Sequence, residues 1–143
     1  MSAQGDRISL SIPVSAKYIA AARLLTAGLA ARANLSVEAV EDLKIAVSEA
    51  CTNVTEHAFA SEAEARNQTI DLTFHVANGE LTVAVEDEGC GFDPKHLPDM
   101  NNKPVVNDTG IGVYLIREMM DEVKIESAPG SGTKIVMTKR CAR

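Results

Sequence analysis

The chain has 143 residues, with 14 Lys and Arg against 20 Asp and Glu, for a formal net charge of −6. That is the length of one domain, long enough to bury about 70% of its unfolded surface, and a hydrophobic content of 45% excludes wholesale disorder. The acidic balance argues against direct nucleic-acid binding by phosphate neutralisation and against a polybasic membrane-surface protein.

In chain order, Ile8, Leu10 and Ile12 alternate with Arg7, Ser9 and Ser11, which is strand periodicity, and Pro13 ends it. Residues 15–33 are rich in Ala and Leu and predict a helix, broken by Asn34-Leu35-Ser36. Arg23 and Arg32 interrupt its apolar run, so it is too charged to span a bilayer. Ser36 is a good N-cap for a second helix reaching about Ala58, with Glu38 and Glu41 near its positive end. Val40, Leu43, Val47, Ala50, Val54 and Ala58 form its apolar stripe. Residues 60–67 predict a surface loop.

Ile70, Leu72, Phe74 and Val76 alternate with polar residues, as do Leu81, Val83 and Val85, with Asn78-Gly79 between the two runs. This predicts a hairpin closed by a type I′ turn, since Asn and Gly both tolerate positive φ. Residues 87–110 hold three prolines, several glycines and asparagines, and predict a long irregular segment of the kind that is usually functional or mobile. Ile111 to Met120 predicts a helix opening at a glycine pair, Val123 and Ile125 a strand, Pro129-Gly130 a turn, and Ile135 and Met137 a last strand. The sum is an α/β (α+β) two-layer sandwich, with helices on one face of a mostly antiparallel, mixed sheet.

Aromatics are 3% and Trp is absent, which leaves no stacking platform for single-stranded nucleic acid. Cys51, Cys90 and Cys141 are odd in number and form no C-x-x-C pair. Together with the lack of a basic, then apolar, leader, this predicts reduced thiols in a cytoplasmic protein. Cys51 and Cys90 are expected to be small buried apolar groups.

Glu49 and Asn53 lie four apart on the second helix and share a face, with His57 a further step along it. An exposed polar row is the plain reading. The functional one is a base and a metal ligand: a carboxylate takes a proton from a hydroxyl, and a carboxamide offers Mg²⁺ a neutral oxygen. Asp87-x-Gly89-x-Gly91 ends the hairpin's second strand. It is either a turn or a close backbone approach to a ligand, with Asp87 placed to accept from an exocyclic amine. Gly110-Ile111-Gly112 opens a helix whose free N–H groups suit phosphate. Ser131-Gly132-Thr133 is a turn whose hydroxyls can complete a polar pocket. No Walker loop, dinucleotide fingerprint or protein-kinase signature occurs.

Taken in order, Glu49-x-x-x-Asn53, Asp87-x-Gly89-x-Gly91, Gly110-x-Gly112 and Gly132-Thr133 resemble the N, G1, G2 and G3 boxes of the GHKL ATPases. Within that superfamily, the run Asp42 to Asn53, with Asp121-Glu122-Val123 and Met137-Thr138-Lys139, looks like the anti-sigma factor serine kinases of the RsbW and SpoIIAB type. The resemblance spans roughly Ile8 to Lys139.

The resemblance implies one ATP-binding kinase domain over 1–143 with a Bergerat fold. Its N box would lie at about 43–58, its G1 box at 87–92, an ATP lid at about 93–109, its G2 box at 109–113 and its G3 box at 131–133. It implies ATP or ADP with Mg²⁺ on Asn53, Glu49 as general base, and Asp87 on adenine, with Gly89 and Gly91 making room. Gly110 and Gly112 would lie against the phosphates, and Thr133 would support the adenine site. Thr109 stands where many relatives carry Gly, either altering the lid or adding a hydroxyl to the phosphate contacts.

The partners implied are a sigma factor, held inactive, and a STAS-domain anti-anti-sigma factor, phosphorylated on serine or threonine. Arg23 falls where the family places a partner contact, and a homodimer is implied. Two alternatives stand beside this: a nucleotide-dependent binding module without significant kinase activity, and an RsbT-type switch kinase acting on a STAS scaffold.

Overall fold

The computed structural model describes residues 5–93 and 108–141. Strand β1 (Asp6–Pro13) leads through a short 3₁₀ turn (Ala16–Tyr18), capped by Ser15, into helix α1 (Ile19–Arg32). The helix expected from residue 15 thus begins with a tighter turn. Asn34 takes a left-handed φ of 65° and ends it. Ser36 then caps helix α2 (Val37–Asn53), its Oγ accepting from the Ala39 N–H at 3.1 Å. The expected continuation to Ala58 is not α-helical. Residues Val54–Ala58 form a wider π-helical turn directly after Asn53. Ser61 caps a one-turn helix α3 (Glu62–Ala65) inside the segment expected to be loop.

Strands β2 (Thr69–Ala77) and β3 (Glu80–Asp87) form the expected hairpin. Its turn is not type I′, because Gly79 alone has positive φ (83°) and Asn78 does not. The reason is tertiary. The Gly79 N–H is taken by the Ala33 carbonyl at 2.7 Å, and the Asn34 Nδ2 donates to Asn78 Oδ1 at 2.7 Å, so the end of α1 shapes the turn. Helix α4 (Asp108–Met119) begins three residues before the expected Ile111. Strands β4 (Glu122–Ser127) and β5 (Thr133–Arg140) complete the chain.

The strand order is β1-β2-β3-β5-β4 and all four pairings are antiparallel, so the sheet is not mixed. α1 lies over β2 and β3, α2 over β3 and β5, and α4 flanks α2. Between the layers Leu43, Val47, Ile70, Leu72, Phe74, Leu81, Val83, Ile116 and Met137 are fully buried. The alternation read from the sequence decides this: Asp71, His75 and Glu86 point to the uncovered face and are exposed.

A charged contact also joins the layers. Lys139 Nζ on β5 donates to Asp42 Oδ2 on α2 at 3.1 Å and to the Met119 carbonyl at the end of α4 at 2.6 Å. A cation there suits the negative end of α4. Lys139→Met keeps the aliphatic stem and removes the ammonium. It is expected to lower the unfolding free energy by about 1.5–3 kcal/mol, the value of a hydrogen bond to a charged group. Urea unfolding checks this, and a loss under about 0.5 kcal/mol, typical of a surface pair, would contradict it.

Candidate active site

A cleft of about 280 Å³ opens between the end of α2 and the ends of β3 and β5. Its walls are apolar: Ala50, Val54 and Ala58 from α2 and its π turn, Val85 and Ile135 from the sheet, and Phe92. Asn53, Asp87, Gly91 and Thr133, four of the residues predicted from the sequence, line it. His57, Cys90 and Asp93 also face it.

Asp87 is the last residue of β3 and is 7% exposed. Its Oδ1 accepts from the Gly89 N–H at 2.7 Å. Burial pushes its carboxyl above the ordinary carboxylate range, while the N–H groups of Gly89 and Thr133 pull it back and Glu86 adds to the rise. One lone-pair face remains for a donor in the cleft.

The glycines act through close approach. A Cβ on Gly89 would overlap the Ala58 carbonyl, and one on Gly91 (φ 67°) would overlap the Ala128 carbonyl. The loop after β3 therefore lies directly on the π turn and on the β4–β5 turn. Cys90 secures both: its N–H donates to the Ala58 carbonyl at 2.7 Å, its carbonyl accepts from the Gly130 N–H at 2.6 Å, and its Sγ donates to the His57 carbonyl at 3.4 Å. The last carbonyls of the α2 segment find their partners here. Cys51 is buried as expected, with burial pushing its thiol up to about 12. Cys90 is exposed, contrary to expectation, because its backbone is what the loop fixes.

Next to the cleft, which neither Glu49 nor Gly112 lines, Gly112 packs against the face of α2 that carries Glu49 and Asn53. A Cβ there would stand 3.0 Å from Asn53 Oδ1 and 3.2 Å from Glu49 Oε1. Gly110 and Gly112 lie inside α4, as its third and fifth residues, and do not precede it. Gly110 keeps an N–H free of helical bonding, whereas Gly112 can bond within the helix and serves by having no side chain. Thr109 is in the first turn of α4. Of the expected lid, residues 94–107 lie outside the described residues.

Asn53 Nδ2 is buried and has no hydrogen-bond partner among the described residues. Leaving a buried polar group unpaired costs about 1–3 kcal/mol, so this amide nitrogen is matched to an acceptor that the described residues do not supply. One carboxamide oxygen and one carboxylate, open to water and phosphates, is a donor set that fits Mg²⁺. The apolar slot with an acidic acceptor at its far end fits a purine nucleotide. Arg23 is exposed on α1 and does not line the cleft. Ser131 is exposed.

Ser127 is a residue the sequence reading missed. It ends β4, accepts from the Phe92 N–H at 2.9 Å and bonds Thr133 Oγ1 at 2.8 Å, tying the loop after β3 to the turn before β5. A serine two residues before Pro129-Gly130 carries no sequence signal that separates it from a turn residue.

A helix pair over an antiparallel sheet, with the ligand cleft at the helix C-terminus and strand ends, defines an ATPase domain of the histidine-kinase type. The family profile described as "Histidine kinase-like ATPase domain" matches residues 12–139. The chain is 36% identical to serine-protein kinase RsbW of Bacillus velezensis, over 97% of this chain and 88% of that protein. It is 38% identical to serine-protein kinase RsbW of Listeria innocua, over 97% and 90%. Among solved structures, the RsbU and RsbW domains of a Mycobacterium tuberculosis protein match with a TM-score of 0.68 at 18% identity, over 96% of this chain and 33% of that one. The chain belongs to the RsbW serine-protein kinases within the histidine kinase-like ATPase family.

Asp87 offers a test of the cleft's acidic end. In Asp87→Asn the amide oxygen takes the Gly89 N–H and the amide NH₂ faces the cleft. ATP binding is expected to weaken roughly 10- to 100-fold by calorimetry. Stability moves the other way. The folded state holds this proton more tightly than the unfolded state, so the group's contribution to stability falls as pH rises through its raised folded pKa. Asp87→Asn is therefore expected to melt no lower than wild type at pH 7. A clear drop in melting temperature together with unchanged ATP affinity would refute both halves.

Proposed function

We propose that this RsbW-family serine-protein kinase transfers phosphate from ATP to a serine or threonine of a STAS-domain anti-anti-sigma factor. The same protein holds a sigma factor inactive and exchanges one partner for the other. The observation that carries the reading is the pairing of Glu49 and Asn53 on one face of α2, with Gly112 of α4 set against both.

Each residue's part follows from its chemistry. Asp87 accepts from the exocyclic amine of adenine, and Thr133 supports the same end of the cleft. Gly89 and Gly91 let the backbone close around the base. The Asn53 carboxamide oxygen would hold Mg²⁺, which when bound neutralises charge on the phosphates. Gly110, with Thr109 beside it, presents the free N–H groups and positive end of α4 to the phosphates. Glu49, one turn before Asn53, takes the proton of the substrate hydroxyl. Phosphoryl transfer asks for position and charge neutralisation more than covalent chemistry, and these residues supply both. Arg23, exposed on α1, contacts the protein partner, and the active species is a homodimer.

The test is phosphotransfer to a purified STAS-domain protein, read as phosphoserine or phosphothreonine by mass spectrometry. Glu49→Gln is expected to lower transfer 10²- to 10⁴-fold, the usual range for a general base, with ATP affinity within a few-fold of wild type. Asn53→Ala is expected to weaken Mg²⁺-dependent ATP binding itself. Wild-type transfer by Glu49→Gln would remove Glu49 as the base, and transfer by neither variant nor wild type, with ATP binding intact, would exclude this substrate class.

A further inference from the structure

The hydroxyl of Ser127 meets three groups. The Phe92 N–H donates to it at 2.9 Å, the Gly132 carbonyl lies 3.0 Å away, and Thr133 Oγ1 lies 2.8 Å away. A serine hydroxyl has one proton and two lone pairs. Phe92 fills one lone pair. The Gly132 carbonyl accepts only, so it takes the Ser127 proton. The remaining lone pair then takes the proton of Thr133. This is the one arrangement in which all three groups are satisfied by Ser127 together. The reverse, with Ser127 donating to Thr133, leaves the Gly132 oxygen without that proton.

The consequence lies in the cleft. Ser127 is not among the residues that line it, but Thr133 is. With its only proton directed to Ser127, Thr133 faces the cleft with lone pairs alone. Asp87 stands opposite Thr133 across the β3–β5 ladder and likewise accepts, its Oδ1 already holding the Gly89 N–H. The base end of the cleft is thus an edge of acceptors, and the Ser127 hydrogen bonds make it so.

We propose that Ser127 determines base selectivity: by directing the Thr133 proton away from the cleft, it favours a purine with an exocyclic amino group over one with an oxo group at that position. The proposal rests on the reading of this cleft as the nucleotide site. A site that must receive a donor leaves its acceptors unpaired against an oxo group, the kind of mismatch that discriminates strongly. In Ser127→Ala the Thr133 hydroxyl loses its acceptor, turns, and donates to the oxo group.

The experiment compares ATP with ITP, in which an oxo group replaces the amino group at position 6 and N1 gains a proton, by calorimetric binding to the full chain with Mg²⁺. Wild type is expected to prefer ATP by roughly 100-fold or more. Ser127→Ala is expected to reduce that ratio at least tenfold, mainly through tighter ITP binding, and Ser127→Thr to restore it. Equal weakening of both nucleotides in Ser127→Ala would make the residue a purely structural support and overturn the proposal. Should Ser127→Ala not fold, as judged by thermal melting, Thr133→Val gives the second reading. There the ATP preference is expected to fall because an acceptor is lost, and a wild-type ratio would show that Thr133 does not read the base. Wild-type protein binding neither nucleotide would overturn the nucleotide assignment itself, an outcome distinct from an unchanged ratio.

Discussion

Three backbone crossings set the geometry of the cleft, and each has a glycine where a side chain would collide. Gly89 passes beneath the Ala58 carbonyl, Gly91 lies on the Ala128 carbonyl, and Gly132 lies on the Asp87 carbonyl. Together they stack the loop after β3 between the π turn of α2 and the turn before β5. Because the stack is made of backbone, its spacing is fixed more closely than side-chain packing alone would fix it. Asp87 is buried as a result, and the carbonyls of His57 and Ala58, which a helix end would otherwise leave to water, are taken by Cys90. The π turn belongs to the same arrangement. It holds one more residue per turn than an α-turn at the point where Asn53, His57 and Ala58 meet the loop.

The surroundings of Glu49 and Asn53, beside the cleft, are built differently. Its geometry depends on how α4 lies along α2, a contact of one helix on another. Gly112 brings the first turns of α4 against Glu49 and Asn53. At the far end of the same helix, Lys139 ties the Met119 carbonyl to Asp42. Asp42 and Glu49 are both on α2, so the helix that carries Glu49 also holds the anchor that positions α4. A shift of α4 along α2 changes the separation of Gly112 from Glu49 and Asn53 directly. The Asp87 end is thus held by backbone crossings and the surroundings of Glu49 and Asn53 by an anchored helix.

Much of this was legible in the sequence, for physical reasons. The period-2 runs of β1, β2 and β3 placed their apolar residues toward the helices, and Ser36 marked the start of α2. Asn53, Asp87, Gly91 and Thr133 were picked out by residue type and order, and they line one cleft. What escaped was set by tertiary contact. The π turn has no propensity signal, and the hairpin turn is shaped by Ala33 and Asn34, distant in sequence. Cys90 is exposed because its main chain is what the loop fixes, a fact its side chain does not advertise. Ser127 acts through three bonds to other segments, none visible from its neighbours in the chain.

The cleft also carries the main conflicts between stability and chemistry among the described residues. Asp87 is a carboxylate that burial disfavours, and Asn53 has a buried amide nitrogen without a partner. Unpaired buried polar groups each cost about 1–3 kcal/mol, against a total stability of about 5–15 kcal/mol for a domain. The largely apolar core beneath α1 and α2 tolerates that loss. Both residues line the same apolar slot, so one ligand with a donor at one end and an acceptor oxygen at the other would partner both at once. Such a ligand binds the folded chain and not the unfolded one, and stabilises it by mass action. Occupancy of the cleft and order of its walls are therefore linked.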